Sequence, residues 1–374
     1  MTKTLRRNST AGFTLVELLV GVMIGLIGIF VIFNTFAVAE NVKRTSTGGG
    51  DAQVNGSIGL FTLERDARSA GYGINVGALL GCRMLLYDEG YSPPREGVFL
   101  MVPVEITQPE NAVPPGPANG PDRIAIMFGS SDKVFAPTKL TQSMPSPSAD
   151  YKVEDRYGFV PGDVIVGAEP GKDCAIGQVS EVPGLPGSGL TANDNVIHNS
   201  GTYKDENGVV HPTRYNKPGG MGVRYSKELG LLYDLGELPR RNIYTITGSR
   251  LNVQNDFTDD QPIPILDNVV QLQAEYGKAA DRLTLIVDRW DNVTPPAGSE
   301  EWQRIVAVRL ALVARSTTPE KPDPDGQCRT TTAFPTWAGG AIDLSVTGAD
   351  WQCYRYKVFQ TIVPIRNMLW KTES

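Results

Sequence analysis

The stretch Gly12-Phe13-Thr14-Leu15-Val16-Glu17-Leu18-Leu19-Val20 opens an apolar run in which Glu17 is the sole charged residue between Phe13 and Ala39. As a helix rising about 1.5 Å per residue, the run reaches roughly 40 Å, enough to cross a bilayer with some tilt. Lys3, Arg6 and Arg7 precede it, with no acid before Glu17. A basic N-terminal flank holds that end in the cytoplasm and sends the chain beyond the helix across the membrane. A secretory signal peptide is cut after its apolar run. Here the small residue, Gly12, stands before it.

This arrangement resembles the class III signal of type IV pilins and pseudopilins: a short basic leader, Gly, then Phe-Thr-Leu-x-Glu. Gly12, Phe13, Thr14, Leu15 and Glu17 match it residue by residue. The resemblance implies that prepilin peptidase removes residues 1–12 and N-methylates Phe13, leaving the helix in the product. Glu17 inside an apolar helix costs on the order of 2.5–3.5 kcal/mol. In the pilin family its partner is the N-terminal amine of the neighbouring subunit, so the cost in a lone subunit drives assembly. The alternative is a hydrated carboxylate near the cytoplasmic interface with no role. Gly21, Gly25 and Gly28 have the small-residue spacing that permits close helix approach; Gly is also simply commoner in membrane helices.

Beyond residue 40 the chain turns polar and reaches Gly48, Gly49 and Gly50. Each glycine costs a helix about 1 kcal/mol relative to alanine, so a break or soft joint is expected there. Helical pattern resumes at Ala52, and Ile58, Phe61 and Arg65 share a face suited to lying against a sheet. Chain length (374 residues), 41% hydrophobic residues, 40 Gly and 27 Pro fit a large, loop-rich, β-containing domain. The net charge of −6 argues against nucleic-acid binding.

Strand-length apolar runs occupy residues 97–106 and 122–128, separated by a proline-rich loop that includes Pro103. Residues 223–235 and 242–253 read as hairpin strands, and residues 183–222 as an extended insertion, either partner-facing or merely solvated. Residues 270–276 alternate apolar and polar, as in a sheet with one wet face. Residues 302–316 read as a central strand and residues 354–367 as the closing one. The fold class is therefore α+β, a long hydrophobic N-terminal helix packed by its C-terminal half on a mainly antiparallel domain. Its divisions are a leader (1–12), a transmembrane and assembly helix (13–40), a polar continuation with the glycine joint (41–73) and a periplasmic β domain (74–374).

Four cysteines, an even number past the membrane segment, suggest two disulfides in an oxidising compartment. Cys328 and Cys353 flank a short turn-rich stretch, which pairs them and leaves Cys82 with Cys174. No G-x-S-x-G elbow, P-loop or H-E-x-x-H occurs, and two histidines supply no ready triad, so no enzyme and no catalytic residue is expected. No cofactor or zinc site is expected either. The acidic groups Asp256, Asp259, Asp260 and Asp323, Asp325 have the residue type that calcium takes, but equally read as solvated turns.

Asp66-x-Arg68-x-Ala70-Gly71-Tyr72, the Val270-Gln271-Leu272-Gln273 strand and the closing Arg366-Asn367 resemble the PilW branch of minor pilins. That resemblance implies a structural subunit that primes a type IV pilus and sits at its tip. Its partners would be other minor pilins, a PilY-type tip adhesin, the assembly machinery and prepilin peptidase, with an inner-membrane location before assembly. A J-type minor pseudopilin of type II secretion shares the leader and topology. A membrane-anchored periplasmic enzyme would need a nucleophile and a base that the sequence lacks. Mass spectrometry of the mature chain is expected to show cleavage between Gly12 and Phe13 and a methylated N-terminus; a start beyond residue 30 would contradict the leader assignment.

Overall fold

Thr14 starts the one long helix through a capping box. Its Oγ1 accepts from Glu17 N at 3.3 Å, while the Glu17 carboxylate accepts from Thr14 N at 3.2 Å. In this computed structural model, which describes residues 12, 14–112, 115–134, 136–185, 194–258 and 261–368, helix α1 then runs Leu15–Ser69 without a break. The joint expected at Gly48, Gly49 and Gly50 is absent. Gly48 is buried, with Ser316 Cβ only 3.1 Å from where a Cβ would stand. The contact that glycine permits there offsets what it costs the helix.

From Arg83 the chain lays down β1 (Arg83–Asp88) and β2 (Arg95–Leu100), then crosses to β3 (Val104–Thr107). The single strand expected over residues 97–106 is thus two strands in different sheets. The buried Pro103, which lacks an N–H for a ladder, lies between them. Next come β4 (Arg123–Phe128), β5 (Thr138–Lys139), β6 (Val164–Ala168), β7 (Cys174–Gln178) and β8 (Leu231–Gly236). Only the end of residues 223–235 is strand, and it pairs with β6 rather than with its own first half. A hairpin follows, β9 (Arg240–Thr247) and β10 (Arg250–Asn255), then β11 (Ile263–Asp267). The C-terminal part supplies β12 (Val269–Ala279), β13 (Val287–Asp291), β14 (Ile305–Arg315) and β15 (Tyr356–Pro364).

Among the described residues these strands form three main sheets, in the orders β2-β1-β7-β6-β8-β5, β11-β10-β9-β4-β3 and β13-β12-β14-β15. Pairing is antiparallel except between β1 and β7. The second and third sheets share one core with Leu63, Ala67 and Ala70 of α1. Two further cores, around Tyr233 and around Tyr225, contain no residue of α1. The outer face of β12 is not wet: the returning segment before β15 covers it, and Gln271, fully buried, donates to the carbonyls of Asn119 and Asp343 at 3.0 and 3.1 Å. Trp337 and Trp351, half-buried, pack with Ile342 and Leu344 in that cover.

Disulfides join Cys82 to Cys174 beside the β1–β7 pairing, and Cys328 to Cys353 across the covering segment. Within the insertion, residues 186–193 lie outside the described residues. The rest is partly structural: Tyr215 is buried, donating to the Phe257 carbonyl at 2.6 Å, and Arg214 grips the fully buried Asp88 at 2.6 and 2.8 Å.

Two buried carboxyls make the fold pH-sensitive. Asp122 accepts from Ala274 N at 2.8 Å, yet burial pushes its carboxyl up to about 7, reinforced by Glu110 and Glu275. Burial and the neighbouring Asp234 push Asp163 up to about 8. Each raised group keeps its proton in the folded state while the unfolded chain releases it. Its contribution is therefore complete below the ordinary value of 3.8 and is lost as pH rises through 7 and 8. The full-length chain in detergent is expected to melt at a lower temperature at about pH 8 than at about pH 5. Asp122→Asn should flatten that slope in part; an unchanged slope would show that Asp122 is not proton-linked.

Candidate assembly site: the membrane helix and its seat

Glu17 is exposed at the first turn of α1, and in the lone chain its carboxylate is engaged by Thr14 of the same chain. Gly12 is exposed just before it; Phe13 and residues 1–11 lie outside the described residues. Leu15–Glu40 is long and apolar enough to cross a membrane, and nothing of the domain covers it. The faces at Gly21, Gly25 and Gly28 are open, with no atom within 4 Å of where a Cβ would project.

The C-terminal half of α1 is seated differently from the sequence expectation. Ile58 and Phe61 are 47% and 67% exposed, and the Arg65 side chain is exposed as well. The buried stripe is instead Gly48, Ala52, Gly56, Gly59, Leu63, Ala67 and Ala70, spaced three or four apart along one side. Its small residues bring the helix axis close to the sheet. A Cβ on Gly56 would stand 2.0 Å from the Phe359 ring of β15, and one on Gly59 would stand 3.0 Å from Leu266 and 3.1 Å from Leu312. Larger apolar side chains cannot occupy that face, so Ile58 and Phe61 point elsewhere.

Polar contacts fix the helix lengthwise. Asn55 Nδ2 donates to the Asp267 carbonyl at 3.0 Å. Asp66, 3% exposed, accepts from Asn242 Nδ2 at 2.7 Å and from the Tyr244 hydroxyl at 2.6 Å, both on β9, and from Arg65 Nε at 3.1 Å. Burial, and then the Asp66 charge, holds the Tyr244 hydroxyl well above its usual range. At the helix end Asn367 Nδ2 donates to the carbonyls of Ser69 and Ala70 at 3.2 and 3.0 Å, satisfying acceptors that a helix terminus leaves open. Gly71 then takes a positive φ of 81°, and the Tyr72 hydroxyl donates to the Ser131 carbonyl at 2.7 Å. The chain reversal after α1 is thus tied to the segment after β4 and to the C-terminal end of the described domain.

Asp259 and Asp260 lie outside the described residues, Asp256 is paired with Arg241, and Asp323 and Asp325 clasp Arg329 at 2.7 and 2.5 Å. Among the described residues, no three His, Cys, Asp or Glu side chains stand together as metal ligands.

Residues 241–367 match the family model described as Type IV Pilus-assembly protein W, and residues 7–33 match the prokaryotic N-terminal methylation motif. These two matches support a PilW-type minor pilin. The first match contains Asn242, Tyr244, Leu312, Ser316 and Phe359 and ends on Asn367, so the family segment coincides with the seat of the pilin's helix. The motif at 7–33 is thus the N-terminal methylation motif of prepilins, and the apolar helix it opens is long enough to cross a membrane. Among solved structures, the type IV-like pilin TTHA1219 from Thermus thermophilus is similar at 14% identity over 35% of this chain, with a TM-score of 0.23. The chain covers 66% of that structure's length, just under two thirds. No curated protein sequence matches the chain.

Two substitutions test the seat by thermal denaturation. Gly56→Ala forces a methyl into the Phe359 ring and should cost about 1–3 kcal/mol, with Phe359→Leu in the same chain recovering part of it. Asp66→Ala leaves the Tyr244 and Asn242 donors unpaired and should cost about 1–3 kcal/mol. A Gly56→Ala chain as stable as the parent would contradict the close approach.

Proposed function

We propose that this pilin primes assembly of a type IV pilus and stands at its tip. The observation that carries the reading is the contrast along α1. Its first half is wholly uncovered, while its second half is locked into a domain whose two further cores extend beyond the helix seat. A domain that bulky is hard to repeat in a closely packed helical shaft, but fits at an end. The bare half enters a bundle of helices from other minor pilins, where Glu17 exchanges its Thr14 contacts for the N-terminal amine of the neighbouring subunit. Before assembly the apolar helix lies in the inner membrane and the domain, with its two disulfides, in the oxidising periplasm. A PilY-type adhesin is the further partner proposed at the tip. The role is structural, with no catalytic activity.

The capping box allows the charge to be tested apart from the helix start. Gln at the third helical position still reaches back to the cap backbone, so Glu17→Gln keeps the box and removes the charge. Glu17→Ala removes both, at about 1 kcal/mol of helix stability. Both variants are expected at parental membrane levels with intact disulfides, and both should lose copurification with other minor pilins and reduce surface pili. A Glu17→Gln chain that assembles normally would show that the charge plays no part. One that disappears from the membrane would place Glu17 in stability or processing instead.

A further inference from the structure

A cleft of about 480 Å³ lies between β2 and the outward face of β3 and β4, on a part of the domain that the helix seat does not use. Among the described residues β2 pairs only with β1, so its other edge is free. Residues 97–100 line the cleft consecutively. Arg83 and Leu86 of β1 line it beside them. The cleft thus lies against an edge strand that has no ladder partner on its other side among the described residues, with Val98 half-exposed there. Gly97 and Ala125 leave room on its walls.

The charges in the cleft do not balance. Arg83, Arg95, Arg123 and Arg241 line it against Glu105 and Asp256, in a chain whose net charge is −6. Both acids are already taken by Arg241. Arg95 reaches Asp88 at 3.3 Å and donates to the Asp256 carbonyl, while its Nε is buried and has no acceptor among the described residues. Arg83 stands 3.7 Å from Asp173, at the limit of an ion pair. The Arg123 guanidinium has no partner among the described residues. A free strand edge accepts another strand, and an unpaired guanidinium beside it selects a carboxylate.

We propose that this cleft receives an extended, acidic segment of a partner protein, which adds as a strand to β2 and sets a carboxylate against Arg123. Native proteins also place charges on edge strands to prevent pairing. Arg123, however, stands on β4, across the cleft from β2, so it leaves the edge open and chooses what pairs with it. The inference stands on the cleft alone and holds wherever in the filament the subunit resides.

The test uses the full-length chain in detergent micelles and two synthetic heptapeptides of alternating threonine and valine, one with a central glutamate and one with a central lysine. Fluorescence anisotropy should show the glutamate peptide binding at least about tenfold tighter than the lysine peptide, equivalent to about 1.4 kcal/mol. Hydrogen exchange should slow at backbone amides of β2 when the glutamate peptide is bound. Arg123→Gln should abolish the preference, and Arg123→Glu should reverse it, each at an unchanged melting temperature. Equal affinity for the two peptides, or no binding of either, overturns the proposal. So does binding without protection of β2, or a preference that survives Arg123→Gln.

Discussion

The distance between α1 and the C-terminal sheet is set where Gly56 meets the Phe359 ring, a contact that admits no side chain on the helix. At that distance the axis is too near the sheet for anything but Gly, Ala and, farther along where the layers diverge, Leu. The other contacts depend on this spacing. Asp66 comes within reach of Asn242 and Tyr244, Asn367 reaches the last carbonyls of the helix, and Ser316 closes on Gly48. Glycines that would weaken an isolated helix become the means of joining this one to its domain. The propensity loss of about 1 kcal/mol at each is met by packing that only glycine permits.

A second consequence concerns the residues left outside. Because the small residues turn inward, Val54, Ile58 and Phe61 remain exposed on the domain-bearing half, beyond the polar stretch that follows Glu40. The helix is thus one rod with two kinds of surface: apolar and uncovered over the membrane half, then divided lengthwise into a seated face and an open one. The capping box at Thr14 and Glu17 and the Asn367 contact finish the rod at its two ends. Force or orientation applied at one end reaches the domain through a continuous helix rather than through a linker.

Much of this is legible in the sequence. The apolar run with its single acid announces the membrane half, and Asp66, Ala70, Gly71, Tyr72 and Asn367 stand out as motif residues without any knowledge of their contacts. Strands β12, β14 and β15 are readable because their apolar patterns are long. The seat is not, because amphipathicity looks for large apolar residues, and here the buried face is marked by small ones. A stripe of Gly48, Ala52, Gly56 and Gly59 at helical spacing is the available signal, but glycine read singly means a breaker. The split between β2 and β3 is hidden by a run apolar on both sides of Pro103, and the buried Gln271 of β12 by a covering segment far along the chain. Tertiary packing decides each of these against the local pattern.

The central claim is that α1 is one continuous helix locked to its domain through Gly48, Gly49 and Gly50. Backbone hydrogen exchange across residues 46–52 of the full-length chain in micelles tests it most directly. A continuous, seated helix predicts that these amides exchange as slowly as those of residues 56–63. Fast exchange confined to the three glycines would contradict the account, showing a joint where the structure has a rod.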